Sequence, residues 1–431
     1  MACSKSSKKM KDFFENAPDL VIGKILENLP IRMAAQASVL SKKWRHAWLS
    51  LENLIFDSDF QKQQENEDGS CNWRKSSRII SRILLHHNGP IHSFDLYVPE
   101  DADEDHMNLS QWISFLSKNG VQMITITHWD SKMYIPSNIF RCSELVYLEL
   151  ANCTLNPPPT CFHGFPKLKY LELVNVEFTN QNIFCSLIEN CRMLVTLILV
   201  DWVGIDHFVI DAPSLQTLII IGDFESLAFR NVSSLESISM GLRKMPEILV
   251  TVEIADAINL LASSCQLQCI SFDDHLCKIF AAGGLIRSSS VTFNQLQELR
   301  LINISLGKFR VLRDVLSMIE SCPYIKKLII LVTSGKNVGQ HMVDFNYNYK
   351  LDHLQEVYIE GITGSSAELK LVEYLLAISP VLENMFFYSG KLGIESEPKM
   401  LRALMGFPRA SPKARLLFLE NRYEVKFAVQ L

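Results

Sequence analysis

No stretch of this 431-residue chain reaches the roughly 18 consecutive apolar residues that a membrane helix needs. The N-terminus MACSKSSKKMK also lacks the apolar core of a secretory leader, so neither a membrane span nor export is expected. A basic excess is missing too: 42 Lys and Arg stand against 47 Asp and Glu, a net charge of -5 that argues against nucleic acid as a partner. The 11 cysteines are scattered singly through apolar segments, which indicates a reducing, intracellular setting, cytoplasmic and/or nuclear. Cys185 with Cys191, and Cys265 with Cys269, lack the paired CxxC spacing and the histidines of a zinc site, so no metal is expected. Gly283-Gly284 is not followed by Lys-Ser/Thr, which excludes a phosphate loop of that kind. Asp273-Asp274-His275 reads as a charged loop after a strand rather than an acid/base cluster, and no thiol is singled out as a nucleophile. These absences point away from an enzyme and from any cofactor.

What is present begins with PDLVIGKILENLPIRMAAQASVLSKKWRHAW, residues 18–48. Asn16, Pro18 and Asp19 supply a cap candidate, a proline for the first turn and an acid for the positive end of a helix. Ile22, Ile25, Leu26 and Leu29 recur at helical spacing, and Pro30 ends that helix because it has no amide to donate. Met33, Ala34, Ala37 and Leu40 suit a second short helix, and Trp44 with Trp48 a third. Three helices this short cannot bury all of these groups among themselves, so the surplus must face a partner or the next domain. Before and after this stretch lie a basic, serine-rich tail with Lys5, Lys8, Lys9 and Lys11, a polar loop over Gln61 to Ser70, and a helix carrying Ile79, Ile80, Ile83 and Leu84.

From residue 91 onward the chain repeats. An apolar residue, two of any kind, an apolar, one of any kind and an apolar recur from Ile91, Val121, Leu145, Leu168, Leu194, Leu215, Leu235, Leu267, Leu296, Ile325, Leu354 and Leu382. Starts about 20 to 30 residues apart are the period of leucine-rich repeats, in which each copy supplies a strand and the stacked copies share one core. Helical spacing around Ile183 to Ile188 and Phe309 to Ile319 predicts helical returns there, while His207 to Ile210 and Leu227 to Phe229 suit extended ones. A longer helical excursion is expected around Ala255 to Ala262. Near the C-terminus, Leu354 to Ile359 reads as a strand and Ser365 with Glu368 as a capping box opening a helix. That helix carries Leu369, Val372, Leu375 and Leu376 and ends at Pro380, and a second strand starts at Leu382.

Two of these segments resemble known families. The N-terminal stretch, above all LPIR at 29–32 and SVLSKKWR at 38–45, is similar to the F-box of plants. LDHLQEVYIEGITGSSAELKLVEYLLAISPVLENMFFYSG with LMGFPRASPKARLLFL resembles the FBD segment of plant F-box/leucine-rich-repeat proteins. The resemblance implies an α/β chain: a three-helix F-box (13–55) after a basic tail (1–12), a loop and connecting helix (56–90), a curved leucine-rich-repeat solenoid (91–344), an FBD segment that closes it (345–420), and a tail (421–431). It implies a Skp-type adaptor as partner and, through it, a cullin scaffold, with contacts from Pro18, Ile25, Leu26, Leu29, Pro30, Val39 and Trp44. Ala17 stands where the family usually has leucine and Met33 where an acid is common, departures that bear on docking strength. The implied role is the target-holding, non-catalytic subunit of a ubiquitin ligase; a repeat scaffold without ligase docking and a small-molecule-gated receptor are the alternatives. Alternation along the strands turns Tyr147, Tyr170, Ile198, Val200, Ile219 and Ile221 away from the core, where they form either a protein-binding patch of apolar residues flanked by tyrosines and carboxylates or a crowded surface covered by the chain's own loops.

Overall fold

The computed structural model describes residues 17–39, 42–64, 66, 70, 72–100, 102, 108–129, 132–245, 253–254, 256–258, 260–262, 266–286, 292–306, 309–333, 345, 347–388 and 397–419. The basic tail, Asn16, Leu40, Ala255 and the tail after residue 420 lie outside them. Two compact units make up the chain, Met1–Leu215 and Gln216–Leu431.

The first unit opens with α1 (Asp19–Glu27), α2 (Ile31–Gln36) and α3 (Trp44–Ala47). Each proline stands at the N-cap of a helix: the carbonyl of Pro18 accepts from the amides of Val21 and Ile22, and that of Pro30 from Ala34. Pro30 therefore ends α1 and starts α2 in one step. Ile22, Leu26, Ile31, Ala34 and Trp44 are buried at 6% exposure or less and make the small core of the three helices. The strand β1 (Asn53–Phe56) and the helix α4 (Ser58–Lys62) come next. The expected loop from Gln61 thus begins two residues late, after Lys62, because Asp57 caps α4 by accepting from the Phe60 amide and Phe60 is buried. Then follow α5 (Trp73–His86), β2 (Ser93–Val98), α6 (Leu109–Lys118), β3 (Met123–His128), β4 (Met133–Ile135), β5 (Tyr147–Leu155), β6 (Tyr170–Phe178), α7 (Ile183–Ile188), β7 (Thr196–Val203) and β8 (His207–Asp211).

In this unit β1, β2, β3, β5, β6 and β7 lie side by side, all parallel, with β4 added against the far half of β5. Phe94, Ile124, Leu148, Leu171 and Leu197 fall in one register row, and none is more than 2% exposed. Full burial of such side chains contributes about 1.5–3 kcal/mol each. The register is set where each strand begins. The Gln122 carbonyl accepts from both Val146 and Tyr147 N–H, and the Val146 carbonyl from Lys169 and Tyr170. Two residues past the third apolar position of the repeat the strands bend at Asn152, Asn175 and Asp201, all at φ near +50°, a backbone state that Asn and Asp tolerate better than most residues. Asn175 donates to the Asn152 side chain and Asn152 to the His128 carbonyl, so the bends support one another.

The second unit contains β9 (Thr217–Ile221), β10 (Ser226–Arg230), β11 (Ser237–Gly241), β12 (Cys269–Asp273), α8 (Asp274–Ile286), β13 (Glu298–Ile304), α9 (Phe309–Glu320), β14 (Lys327–Val332), β15 (Glu356–Glu360), α10 (Ser366–Ile378), β16 (Asn384–Tyr388), α11 (Glu397–Gly406) and β17 (Arg415–Leu419). All of these strands but β10 form one parallel run in chain order. Between β11 and β12 the described residues 253–262 are helical, with Ile254, Ile258 and Leu261 buried. Asp273-Asp274-His275 proves to be a strand end and a helix start rather than a loop. The Asp273 carboxylate accepts from Leu276 and Leu242 N–H, which ties α8 to the end of β11.

The expected strand, helix and strand near the C-terminus are β15, α10 and β16. Ser365 and Glu368 form the capping box, and the Glu368 carboxylate also collects the amides of Thr363 and Gly364 at 2.8 and 2.7 Å. Leu371 rather than Leu369 joins Val372, Leu375 and Leu376 in the buried stripe. Gly361 sits at φ +80°, and a Cβ there would come within 2.2 Å of the Val332 carbonyl oxygen. Tyr374 on α10 donates to Glu320 on α9 at 2.6 Å. Ending the chain after Asn348 would strip β15 from β14 and α10 from α9, exposing a strand edge and the apolar end of a repeat stack. The expected outcome is an insoluble product or one without a cooperative thermal transition, checked by solubility and circular dichroism melts.

Candidate functional site

Two surfaces of the first unit collect the residues singled out in the sequence. The first lies on the N-terminal helices. α1 is apolar on more than half of its circumference: Ile22 and Leu26 point into the small core, while Leu20, Val21 and Ile25 are 73%, 39% and 37% exposed. Val39 is 85% and Met33 52% exposed, Pro18 and Pro30 are exposed, and Leu29 is half-buried. Leu26 and Trp44, at 0% and 1%, are not surface residues. Helical spacing put Leu26 in one stripe with Ile25, yet the two lie on either side of the boundary between the core and the exposed flank. Trp44 is the largest side chain available to fill so small a core, and it is used there. Leu20 and Val21 were not expected; the signal for them was an apolar set too broad for one stripe.

Lys43 holds these helices together from outside, donating to the Ala17 carbonyl at 3.2 Å and pairing with Asp19 at 3.4 Å. Ala17, where the family pattern has leucine, is itself buried. Below the corner between α1 and α2 is a cavity of about 250 Å³, lined in part by Leu29, Pro30, Ile31, Ile55 and Phe60.

The second surface is the outward face of the sheet. Tyr147 and Tyr170 stack there in register, centroids 4.3 Å apart and planes 6° from parallel. Tyr147 donates to Glu149 at 2.6 Å and Tyr170 to Glu172. One register row carries Asp95, Thr125, Glu149 and Glu172 on β2, β3, β5 and β6. Burial, reinforced by Asp57 and Glu149, pushes the Asp95 carboxyl up to about 6. Glu172 is also raised, by burial first and with Glu149 adding to it, against the lowering effect of the Tyr170 hydrogen bond. Both tyrosine hydroxyls are pushed up, by burial first and then by the carboxylates they bond.

The apolar part of the expected patch is not a solvent-facing surface. Ile198 and Val200 are 1% and 2% exposed, and Ile219 and Ile221 in the second unit 9% and 6%. Strand alternation gives the direction of a side chain, not what covers it, and large apolar groups are covered wherever the fold allows. Tyr147 and Tyr170 keep their place on the accessible face.

Among the described residues no group of three or more His, Cys, Asp or Glu side chains could hold a metal, and no helix is long and apolar enough to cross a membrane. The described cysteines are free thiols, most of them buried.

With the geometry in place, comparison with known proteins is informative. Residues 18–56 match the F-box domain, and residues 109–265 match the repeats of the family described as "FBD-associated F-box protein At5g56370, LRR repeats". The chain is 28% identical over 424 residues to the F-box/FBD/LRR-repeat protein At1g13570 of Arabidopsis thaliana, covering 95% of this chain and 99% of that one. The chain thus carries an F-box and FBD-associated leucine-rich repeats, and along nearly its whole length it is similar to an F-box/FBD/LRR-repeat protein. F-box/LRR-repeat protein 13 of the same plant is similar too, at 24% identity over 95% of this chain and 96% of its own. Neither matching family model is that of an enzyme.

Within the F-box the two classes of apolar residue should separate on mutation. Leu26→Ala removes a fully buried side chain and should destabilise the F-box by about 2–5 kcal/mol, whereas Leu20→Ala should change stability by no more than about 0.5 kcal/mol. Chemical denaturation of the two variants decides this.

On the sheet face, Asp95 titrates near its ordinary 3.8 when unfolded and at about 6 when folded, so the folded chain favours the protonated acid. Its contribution is fully present below the unfolded value and is lost as pH rises through about 6. Asp95→Asn should therefore melt at a higher temperature than the parent at pH 7.5, with the difference vanishing below pH 4. Melting curves across that range test it.

Proposed function

We propose that this chain is the target-recognition subunit of an SCF-type ubiquitin ligase. Its F-box docks a Skp-type adaptor and through it a cullin scaffold, and its repeats hold a target protein for ubiquitination. The observation that carries the reading is the exposed apolar flank of the F-box: Leu20, Val21, Ile25, Met33 and Val39 stay in solvent although the helices have a core of their own. Contiguous apolar side chains on a soluble chain mark a surface that a partner covers. Pro18, Leu29 and Pro30 border that flank and complete the proposed adaptor contact, while Leu26 and Trp44 act from inside by fixing the angle between helices.

The chemistry of such a role is proximity. Tethering target and conjugating machinery to one chain raises the local concentration of target lysines at the loaded enzyme, an effect that needs no reactive group here. Among the proposed target contacts, Tyr147 and Tyr170 are held rigidly by stacking and by their carboxylates, which lowers the entropy lost on binding.

Ile25→Ala combined with Leu29→Ala should abolish adaptor capture, since central apolar anchors commonly contribute about 2 kcal/mol or more each. The measurement is co-purification and affinity with purified adaptor, with circular dichroism confirming the fold. Undiminished affinity in a folded variant would exclude docking by this surface and favour a repeat scaffold that acts without the ligase.

A further inference from the structure

The outward face of the first unit's sheet differs from that of the second in one respect. In the second unit three charged outward positions on β13 and β14 neutralise one another. Arg300 meets Glu298 at 2.6 Å, Lys327 lies 3.9 Å from the same carboxylate, and the Lys327 ammonium sits 5.0 Å from the centre of the Tyr358 ring. Tyr358 in turn stacks on Phe386 at 4.6 Å, and its hydroxyl bonds Glu356. There the chain supplies its own cation to an aromatic pair flanked by carboxylates.

The first unit builds the same arrangement without the cation. Tyr147 and Tyr170 form the aromatic pair, with Glu149 and Glu172 bonded to their hydroxyls. No outward position on β2, β3, β5 or β6 is lysine or arginine, and among the described residues neither glutamate nor Asp95 has an ion-pair partner. Glu149 and Glu172 stand directly opposite each other on adjacent strands, a placement of like charges that costs stability. Just past the end of β3, Trp129 is 64% exposed and packs edge-on against Tyr97 of β2 at 6.4 Å, which extends the face beyond the carboxylates.

We propose that this face captures an extended, lysine- or arginine-bearing segment of a partner protein, with a cation seated over the Tyr147–Tyr170 pair and between the carboxylates, as Lys327 sits over Tyr358 within the chain itself. The inference rests on the reading of the repeats as the target-holding part and adds the chemistry of what they hold. A cation over an aromatic face and beside a carboxylate gains from both, and more so where water is partly excluded. Charge complementarity of this kind also steers encounter and weakens with salt.

The test uses the full chain and a fluorescein-labelled decapeptide of alternating lysine and serine, read by anisotropy, with a glutamate/serine decapeptide as control. The lysine peptide should bind, the glutamate peptide should not, and affinity should fall as salt rises. Glu149→Gln with Glu172→Gln should weaken binding at least ten-fold, whereas Glu298→Gln, on the self-neutralised face, should leave it unchanged. Should the double variant fail to fold, Asp95→Asn serves in its place, with an expected several-fold loss. Undiminished binding in the folded double variant, or an equal loss in Glu298→Gln, would overturn the proposal. Adaptor capture measured on the same preparations separates the two readings: a chain that captures adaptor but ignores the peptide refutes only the cationic partner, and one that binds the peptide but not the adaptor refutes only ligase docking.

Discussion

A single carbonyl oxygen just before a repeat strand, shared by two successive amides of the next repeat, recurs eleven times among the described residues and sets everything that follows. Glu52, His92, Gln122, Val146 and Lys169 play this part in the first unit, and Gln216, Glu236, Gln268, Gln297, Lys326 and Gln355 in the second. A carbonyl has two lone pairs, so one acceptor can fix both amides. Once it does, the next strand has only one register, because a slip by one residue would turn its leucines into solvent. Repeats of quite different length are held to the same ladder in this way. The chain spends its variable residues on the return path, where α9 and the short β8 serve equally well.

Uniform register has a functional consequence. Since the repeat strands within each unit enter at the same level, outward side chains at equivalent positions line up in rows, and the character of a row is decided by which residues the repeats happen to place side by side. In the first unit this produces adjacent carboxylates and a tyrosine stack; in the second it produces ion pairs and a cation over a ring. Neither outcome can be inferred from one repeat. The F-box follows a different logic, in which a helix of nine residues is apolar over too wide an arc for its own core, and the excess stays in solvent.

Some elements were hidden in the sequence for physical reasons. β1 is only four residues long, and although Leu51, Leu54 and Phe56 follow the repeat spacing, the copy stands apart from the run that starts at Ile91, so its pairing with β2 is what identifies it as a strand. The bends at Asn152, Asn175, Asp201 and Asn303 have an Asn or Asp in each of the clearest repeats. That signal was open to view, but it marks a backbone angle rather than a hydrophobic contact, and a search by apolar spacing passes over it. The charged run at Asp273 was misjudged because a carboxylate that caps a helix and one that decorates a loop look alike until the amides it accepts from are known.

The order of elements, the repeat period, the capping box at Ser365 and the three-helix start were all written in the chain, because they depend on contacts between residues near in sequence or on a pattern that recurs. Exposure was not. Whether Leu26 or Ile25 meets a partner, whether Ile198 faces solvent, and which carboxylates stand opposite one another depend on what the rest of the chain lays against each position. Alternation and helical spacing give a side chain its direction, and only tertiary packing decides whether anything is already there.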